Sequence, residues 1–176
     1  CMKKLKLDEL NRVDVETFKK QKKFPLVFIL DNIRSFNNVG SAFRTADAFG
    51  IESLYLCGIT PRPPHRDIQK TALGATLSVN WEYHQNTSSI IKTLKEKGYK
   101  IIAVEQTDSS ISLDQFKVQP NDKLALVFGH EVNGVSDDTL KLVEQSLEIP
   151  QFGTKHSFNV SVSIGIVGWH LLEQMM

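Results

Sequence analysis

Leu124-Ala125-Leu126-Val127-Phe128-Gly129-His130-Glu131-Val132-Asn133-Gly134-Val135-Ser136 is the stretch on which the fold turns. Its first five residues are apolar without alternation. A strand of that kind is buried on both faces and belongs in the middle of a sheet covered by helices. A polar loop bracketed by Gly129 and Gly134 follows, and Ser136 reads as the N-cap of a helix over Ser136–Gln145. The same grammar recurs on either side. Leu26–Leu30 is a second uninterrupted apolar run, bounded by Pro25 and Asp31. Asn38–Phe49 then has helical spacing (Val39, Ala42, Phe43, Ala46, Phe49), with Gly50 where a C-terminal cap belongs.

Further along, Ser53–Cys57 reads as a strand. Thr87–Lys97 reads as a helix capped by Thr87 or Ser88 and closed by Gly98. Tyr99–Val104 and the short Leu147-Glu148-Ile149 read as strands, and Asn159 to about Glu173 as an apolar helix. Strands alternating with helices predict an α/β fold, a largely parallel sheet with helices on both faces. The 176 residues suit one domain of ordinary size, and 41% hydrophobic with 23% charged residues is a globular composition. The apolar runs are too short to cross a bilayer and no secretory leader is evident, so a soluble, cytoplasmic protein is expected. Met2 reads as the natural start. Two cysteines, Cys1 and Cys57, match no zinc spacing, so neither a metal nor a disulfide framework is expected.

Charge is uneven. Residues 1–23 hold eight lysines and arginines against four acids, so a +4 arm precedes a body of −3. Leu7, Leu10, Val13 (or Val15) and Phe18 give this arm a roughly helical period over Leu5–Phe18. A basic arm of this sort suits a polyanion. The organisation predicted is a basic arm over residues 1–24 and an α/β domain over residues 25–176.

Ligands of open α/β sheets bind beyond the carboxyl ends of the strands. Three polar loops leave strands here: Asp31–Gly40, Gly129–Gly134 and Pro150–Asn159. Neither a dinucleotide fingerprint nor a P-loop is present. Arg44 on the first helix, Glu131 in the middle loop and Asn159 at the last helix start are three polar groups able to converge on one site.

These segments also carry a resemblance. Asn38-Val39-Gly40 with Arg44-Thr45-Ala46 and Phe49-Gly50, the Leu126–Ser136 run, and Ile149-Pro150-Gln151-Phe152-Gly153 with Ser157-Phe158-Asn159-Val160-Ser161-Val162 match, in order, three motifs. On them the chain resembles the SpoU/TrmH family of SPOUT-class RNA 2′-O-ribose methyltransferases, over about residues 25–174. The resemblance implies a C-terminal trefoil knot, S-adenosylmethionine as cofactor, and a homodimer paired through the knotted region. It places cofactor contacts at Val104, Glu105, Gly129, Ile149 and Phe158, and catalytic roles at Asn38, Arg44, Glu131, Ser157 and Asn159. Gly129 is expected to let the backbone approach the ligand, and Ile149 and Phe158 to sandwich an adenine. Glu131 and Asn38 are expected to orient Arg44 and the ribose. Arg34, Arg62, Arg66 and Lys70 remain to hold RNA phosphate. Transfer RNA is the favoured substrate, with ribosomal RNA or a non-catalytic RNA-binding role as alternatives.

Overall fold

The sheet is built from strands that the sequence writes as apolar runs, and their central position follows from that. A computed structural model describes residues 1–176 and contains seven parallel strands in the order β3-β2-β1-β6-β4-β7-β5. These are β1 (Phe24–Asp31), β2 (Ile51–Cys57), β3 (Trp81–His84), β4 (Lys100–Val104), β5 (Ile111–Ser112), β6 (Leu124–Gly129) and β7 (Gln145–Glu148). The two longest unbroken apolar runs, on β1 and β6, lie side by side at the centre in register from Leu26↔Leu124 to Asp31↔Gly129.

Successive residues of β1 point to opposite faces and feed two cores. Leu26, Phe28 and Leu30 pack with Phe43 of α2 (Phe36–Phe49), Ile68 of α3 (Arg66–Ala72) and Ile164 and Val167 of α7 (Val160–Glu173). Val27 and Ile29 pack instead with Ile90, Ile91 and Leu94 of α5 (Thr87–Glu96). Helices therefore cover both faces, as expected for a parallel sheet. The register of β1 against β2 shifts between Phe24 and Val27, where Pro25 has no N–H to give the ladder.

Several expectations need correction. The arm is not one helix. It holds a 3-10 turn at Leu7–Leu10 and a helix α1 at Val15–Lys20, separated where Asn11 takes a left-handed φ of 54°. Asp14 then starts the second piece by accepting a bond from the Thr17 N–H, and neither piece buries a residue. The helix expected over Ser136–Gln145 stops after α6, Asp137–Leu140. Ser136 does cap it, but Glu144 exchanges backbone and side-chain bonds with Ile101 of β4, so the chain is already beside the sheet. The N-cap of α5 is Asn86, because the Thr87 hydroxyl is drawn inward to Asp31. Helices α3 and α4 (Ala75–Ser78) and the edge strands β3 and β5 were not foreseen.

Gly40 shows why α2 lies where it does. A Cβ there would fall 1.9 Å from Thr71 Oγ1 and 2.3 Å from the Ile68 carbonyl, so α2 and α3 touch backbone to backbone. Gly40→Ala should lower unfolding stability by about 2 kcal/mol, the usual cost of overpacking, as read from a urea titration. Ser41→Ala, one position along, should stay within about 0.5 kcal/mol of the parent.

Candidate functional site

The carboxyl ends of β4, β6 and β7 open into a cleft of about 740 Å³, within the range of small-molecule sites. All five residues expected to contact a cofactor line it: Val104, Glu105, Gly129, Ile149 and Phe158. Three of the five expected catalytic residues, Glu131, Ser157 and Asn159, line it as well, whereas Asn38 and Arg44 do not. Glu105, Glu131, Asp137 and Glu148 contribute carboxylates to the wall, and no lysine or arginine does. Such a wall favours a cation with an apolar body and disfavours phosphate.

Glu131 ties this cleft to the first polar loop. Its Oε2 accepts the Arg34 N–H at 2.9 Å, and its Oε1 accepts the Ser35 N–H at 2.9 Å and Asn38 Nδ2 at 3.2 Å. Burial pushes the carboxyl pKa up, but the N–H donors of Arg34 and Ser35, helped by Asn38, outweigh it and hold the group below its ordinary value. Ser35 itself caps α2 by accepting the Asn38 N–H at 3.2 Å. Glu131 thus orients Asn38 and the start of α2, and not Arg44 as expected: the two form no ion pair or hydrogen bond. Arg44 sits in the third turn of α2, which begins at Phe36, two residues before the start expected from the spacing. Its guanidinium is exposed and carries no protein partner.

The reason for Gly129 also differs from the expected one. A Cβ there would lie 2.1 Å from the Val135 nitrogen and 2.2 Å from the Gly134 carbonyl carbon. The space is taken by the chain's own loop, not left for a ligand. That loop is closed by Glu105, whose Oε2 accepts the Val135 N–H at 2.9 Å, and by reciprocal backbone bonds between His130 and Gly134. His130 Nδ1 further accepts the Val132 and Asn133 N–H groups at 3.1 Å each. Sequence reading passed over His130 although, like Glu131, it is a polar residue directly after a buried strand.

Ser157, Phe158 and Asn159 lie on an exposed segment, held to the body where Gln106 Nε2 donates to the His156 carbonyl at 2.6 Å. Asn159 caps α7, its Oδ1 accepting the Ser161 N–H at 2.9 Å and the Ser161 hydroxyl at 2.6 Å. Phe158 and Ile149 both face the cleft, as an adenine sandwich requires. Of the residues expected to meet phosphate, Arg62 lies with its guanidinium 4.0 Å over the Tyr83 ring, while Arg34, Arg66 and Lys70 are exposed. No group of three or more His, Cys, Asp or Glu is placed to hold a metal, and no helix is long and apolar enough to cross a membrane.

Residues 25–169 match the model of the SpoU rRNA methylase family. The chain belongs to that family. It is 29% identical over 150 residues to a tRNA (guanosine(18)-2′-O)-methyltransferase of Borreliella burgdorferi, covering 85% of this chain and 67% of that one. It is 35% identical over 143 residues to a 23S rRNA (guanosine-2′-O-)-methyltransferase of Neisseria meningitidis, covering 81% of this chain and 56% of that one. This chain therefore spans about two thirds or less of these curated relatives. The fold superposes on the Aquifex aeolicus TrmH/SpoU tRNA modifying enzyme with a TM-score of 0.79 at 26% identity, over 91% of this chain and 79% of that one. Methyl transfer from S-adenosylmethionine to RNA is the chemistry of the family, and an acidic cleft with apolar walls fits that cationic, purine-bearing cofactor.

The Glu131 bonds should make stability depend on pH. A carboxyl whose folded pKa lies below its ordinary 4.5 contributes stability above that value and loses it as the pH falls through the depressed one. The urea midpoint of the parent should exceed that of Glu131→Gln near neutral pH. The gap should narrow as the pH falls below 4.5 and through the depressed value, because the carboxyl titrates and the amide does not.

Proposed function

We propose that this chain methylates the 2′-hydroxyl of a ribose in RNA, with S-adenosylmethionine as methyl donor and transfer RNA as the favoured substrate. The observation that carries this reading is the acidic cleft at the carboxyl ends of β4, β6 and β7, joined through Glu131 to Asn38 and the helix that bears Arg44.

When bound, S-adenosylmethionine supplies a methyl on a sulfonium, a leaving group that needs no further activation. The rest falls to the chain. Val104, Ile149 and Phe158 offer apolar contact, and the surrounding carboxylates complement a positive charge. The 2′-hydroxyl loses its proton to water as its oxygen takes the methyl carbon and the sulfonium C–S bond breaks, and where proton loss runs ahead of bond formation negative charge builds on that oxygen. Arg44 answers that charge. A guanidinium does not deprotonate at neutral pH, so Arg44 acts by binding the adjacent phosphate and stabilising the developing alkoxide. Glu131 and Asn38 hold the start of the helix that carries it. Ser157 and Asn159 add polar contacts at the cleft mouth.

Residues 25–176 form the methyltransferase domain in this reading, and the basic arm of residues 1–24, with Arg34, Arg62, Arg66 and Lys70, holds RNA backbone. The protein works in the cytoplasm as a homodimer paired through a knotted C-terminal region. Supporting the pairing, α7 buries Ile164, Val167 and Leu171 against its own fold yet leaves Val162 and Trp169 each 48% exposed. Apolar area on the outer side of an already buried helix is what a second copy would cover.

The test is incubation with methyl-labelled S-adenosylmethionine and unmodified transfer RNA or ribosomal RNA in parallel, followed by alkaline digestion. Label in an alkali-resistant dinucleotide from transfer RNA is expected. Label released as mononucleotides would mean base methylation instead, and resistant label from ribosomal RNA alone would move the substrate. Arg44→Ala should abolish transfer, by about 100-fold or more, while leaving cofactor affinity nearly unchanged. Retained transfer would remove Arg44 from the chemistry.

A further inference from the structure

His65 is an exposed ring held still. One face stacks on Phe36, with centroids 4.0 Å apart and planes inclined by 24°. In its own plane, Nδ1 accepts the Asp67 N–H at 3.1 Å, capping α3. With one face covered and one edge bonded, its exposure must come from the opposite face and the Nε2 edge. Phe36 is itself 37% exposed, so the pair is a surface feature outside both cores.

Its neighbours are cationic. Arg62 lies fixed over Tyr83 at 4.0 Å, the Arg66 side chain is 92% exposed, and Lys70 is exposed one turn further along α3. Arg66 approaches Asp67 at 3.7 Å, a surface pairing of little weight. The pair also adjoins the cleft. Phe36 follows Ser35, whose N–H is bound by the cleft-lining Glu131.

An open aromatic face with cationic side chains three residues before it and one and five residues after it matches what unpaired nucleotides seek: stacking for the base and charge for the phosphate. Because the ring is immobilised before binding, little ordering entropy is left to lose. We propose that His65, backed by Phe36, is a stacking platform for an unpaired nucleobase of the RNA, flanking the nucleotide that receives the methyl group. This assignment rests on the RNA-methylating function argued above.

Two substitutions separate the ring from the cap. His65→Tyr keeps an aromatic face and gives up the Nδ1 acceptor, whereas His65→Asn keeps a capping side chain and gives up the ring. The probe is a short single-stranded oligoribonucleotide carrying 2-aminopurine, whose fluorescence falls on stacking. His65→Asn should bind about tenfold more weakly and lose the quenching. His65→Tyr should stay within about twofold of the parent, and S-adenosylmethionine binding should be unchanged in both. Parental binding and quenching by His65→Asn overturn the platform, as does a loss in His65→Tyr, which retains the ring. Methyl transfer by the parent with an unaltered RNA KM in His65→Asn removes the platform and leaves the function standing. A parent that neither binds nor methylates RNA removes both.

Discussion

One carboxylate joins the two halves of the site. Glu131 leaves the end of β6, at the centre of the sheet, and receives three N–H donors from residues 34–38 at the start of α2. Core packing already sets α2 against β6 and α7, and Glu131 adds a direct polar tie between the cleft wall and the start of that helix. The negative charge is well used at that place. The carboxylate's donors are the N–H groups of Arg34 and of the N-cap Ser35 and the side-chain amide of Asn38, so the negative charge lies beside the positive end of the α2 dipole.

A second carboxylate does similar work on the other side of the central strand pair. Asp31, at the end of β1, is fully buried and accepts the Thr87 hydroxyl at 2.6 Å and the Ser136 N–H at 3.2 Å. The start of α5 and the loop after β6 are thereby fastened to one strand end. Parallel strands put all their carboxyl ends on one edge, and these two acids connect the loops emerging there. The apolar runs set the sheet, while Asp31 and Glu131 set the geometry of its functional edge.

The strands were readable because residues buried on both faces must be apolar without interruption, as in Leu26–Leu30 and Leu124–Phe128. The edge strands β3 and β5 were not, since Trp81-Glu82-Tyr83-His84 and Ile111-Ser112 are short and half-covered. The overlong helix at Ser136 shows a start signal overrun by pairing: Ser136 does cap α6, but Glu144 is already held by β4. In the site, the loops were readable and their connections were not. Glu131 and Asn159 reach the cleft while Arg44 stays outside it, and the contact from Glu131 to Asn38 spans 93 residues. Gly129 was noticed for the wrong reason, because the atoms that exclude its Cβ belong to Gly134 and Val135, which only the folded loop brings near.

Charge divides the working surface in a way that the net +1 of the chain conceals. The cleft wall is acidic, whereas Arg34, Arg44, Arg62, Arg66 and Lys70 lie outside it. Phosphates are thereby repelled from the cleft and attracted to its flanks, which favours a pose in which only a ribose edge approaches the methyl donor. The same division bears on release. Transfer of the methyl removes the positive charge on sulfur, so the spent cofactor loses part of its attraction to Glu105, Glu131, Asp137 and Glu148. In the function proposed above, the methylated RNA would keep its phosphates and its attraction to the cationic flank. On that proposal separate sets of residues would govern cofactor exchange and RNA release, and salt should weaken RNA binding far more than cofactor binding.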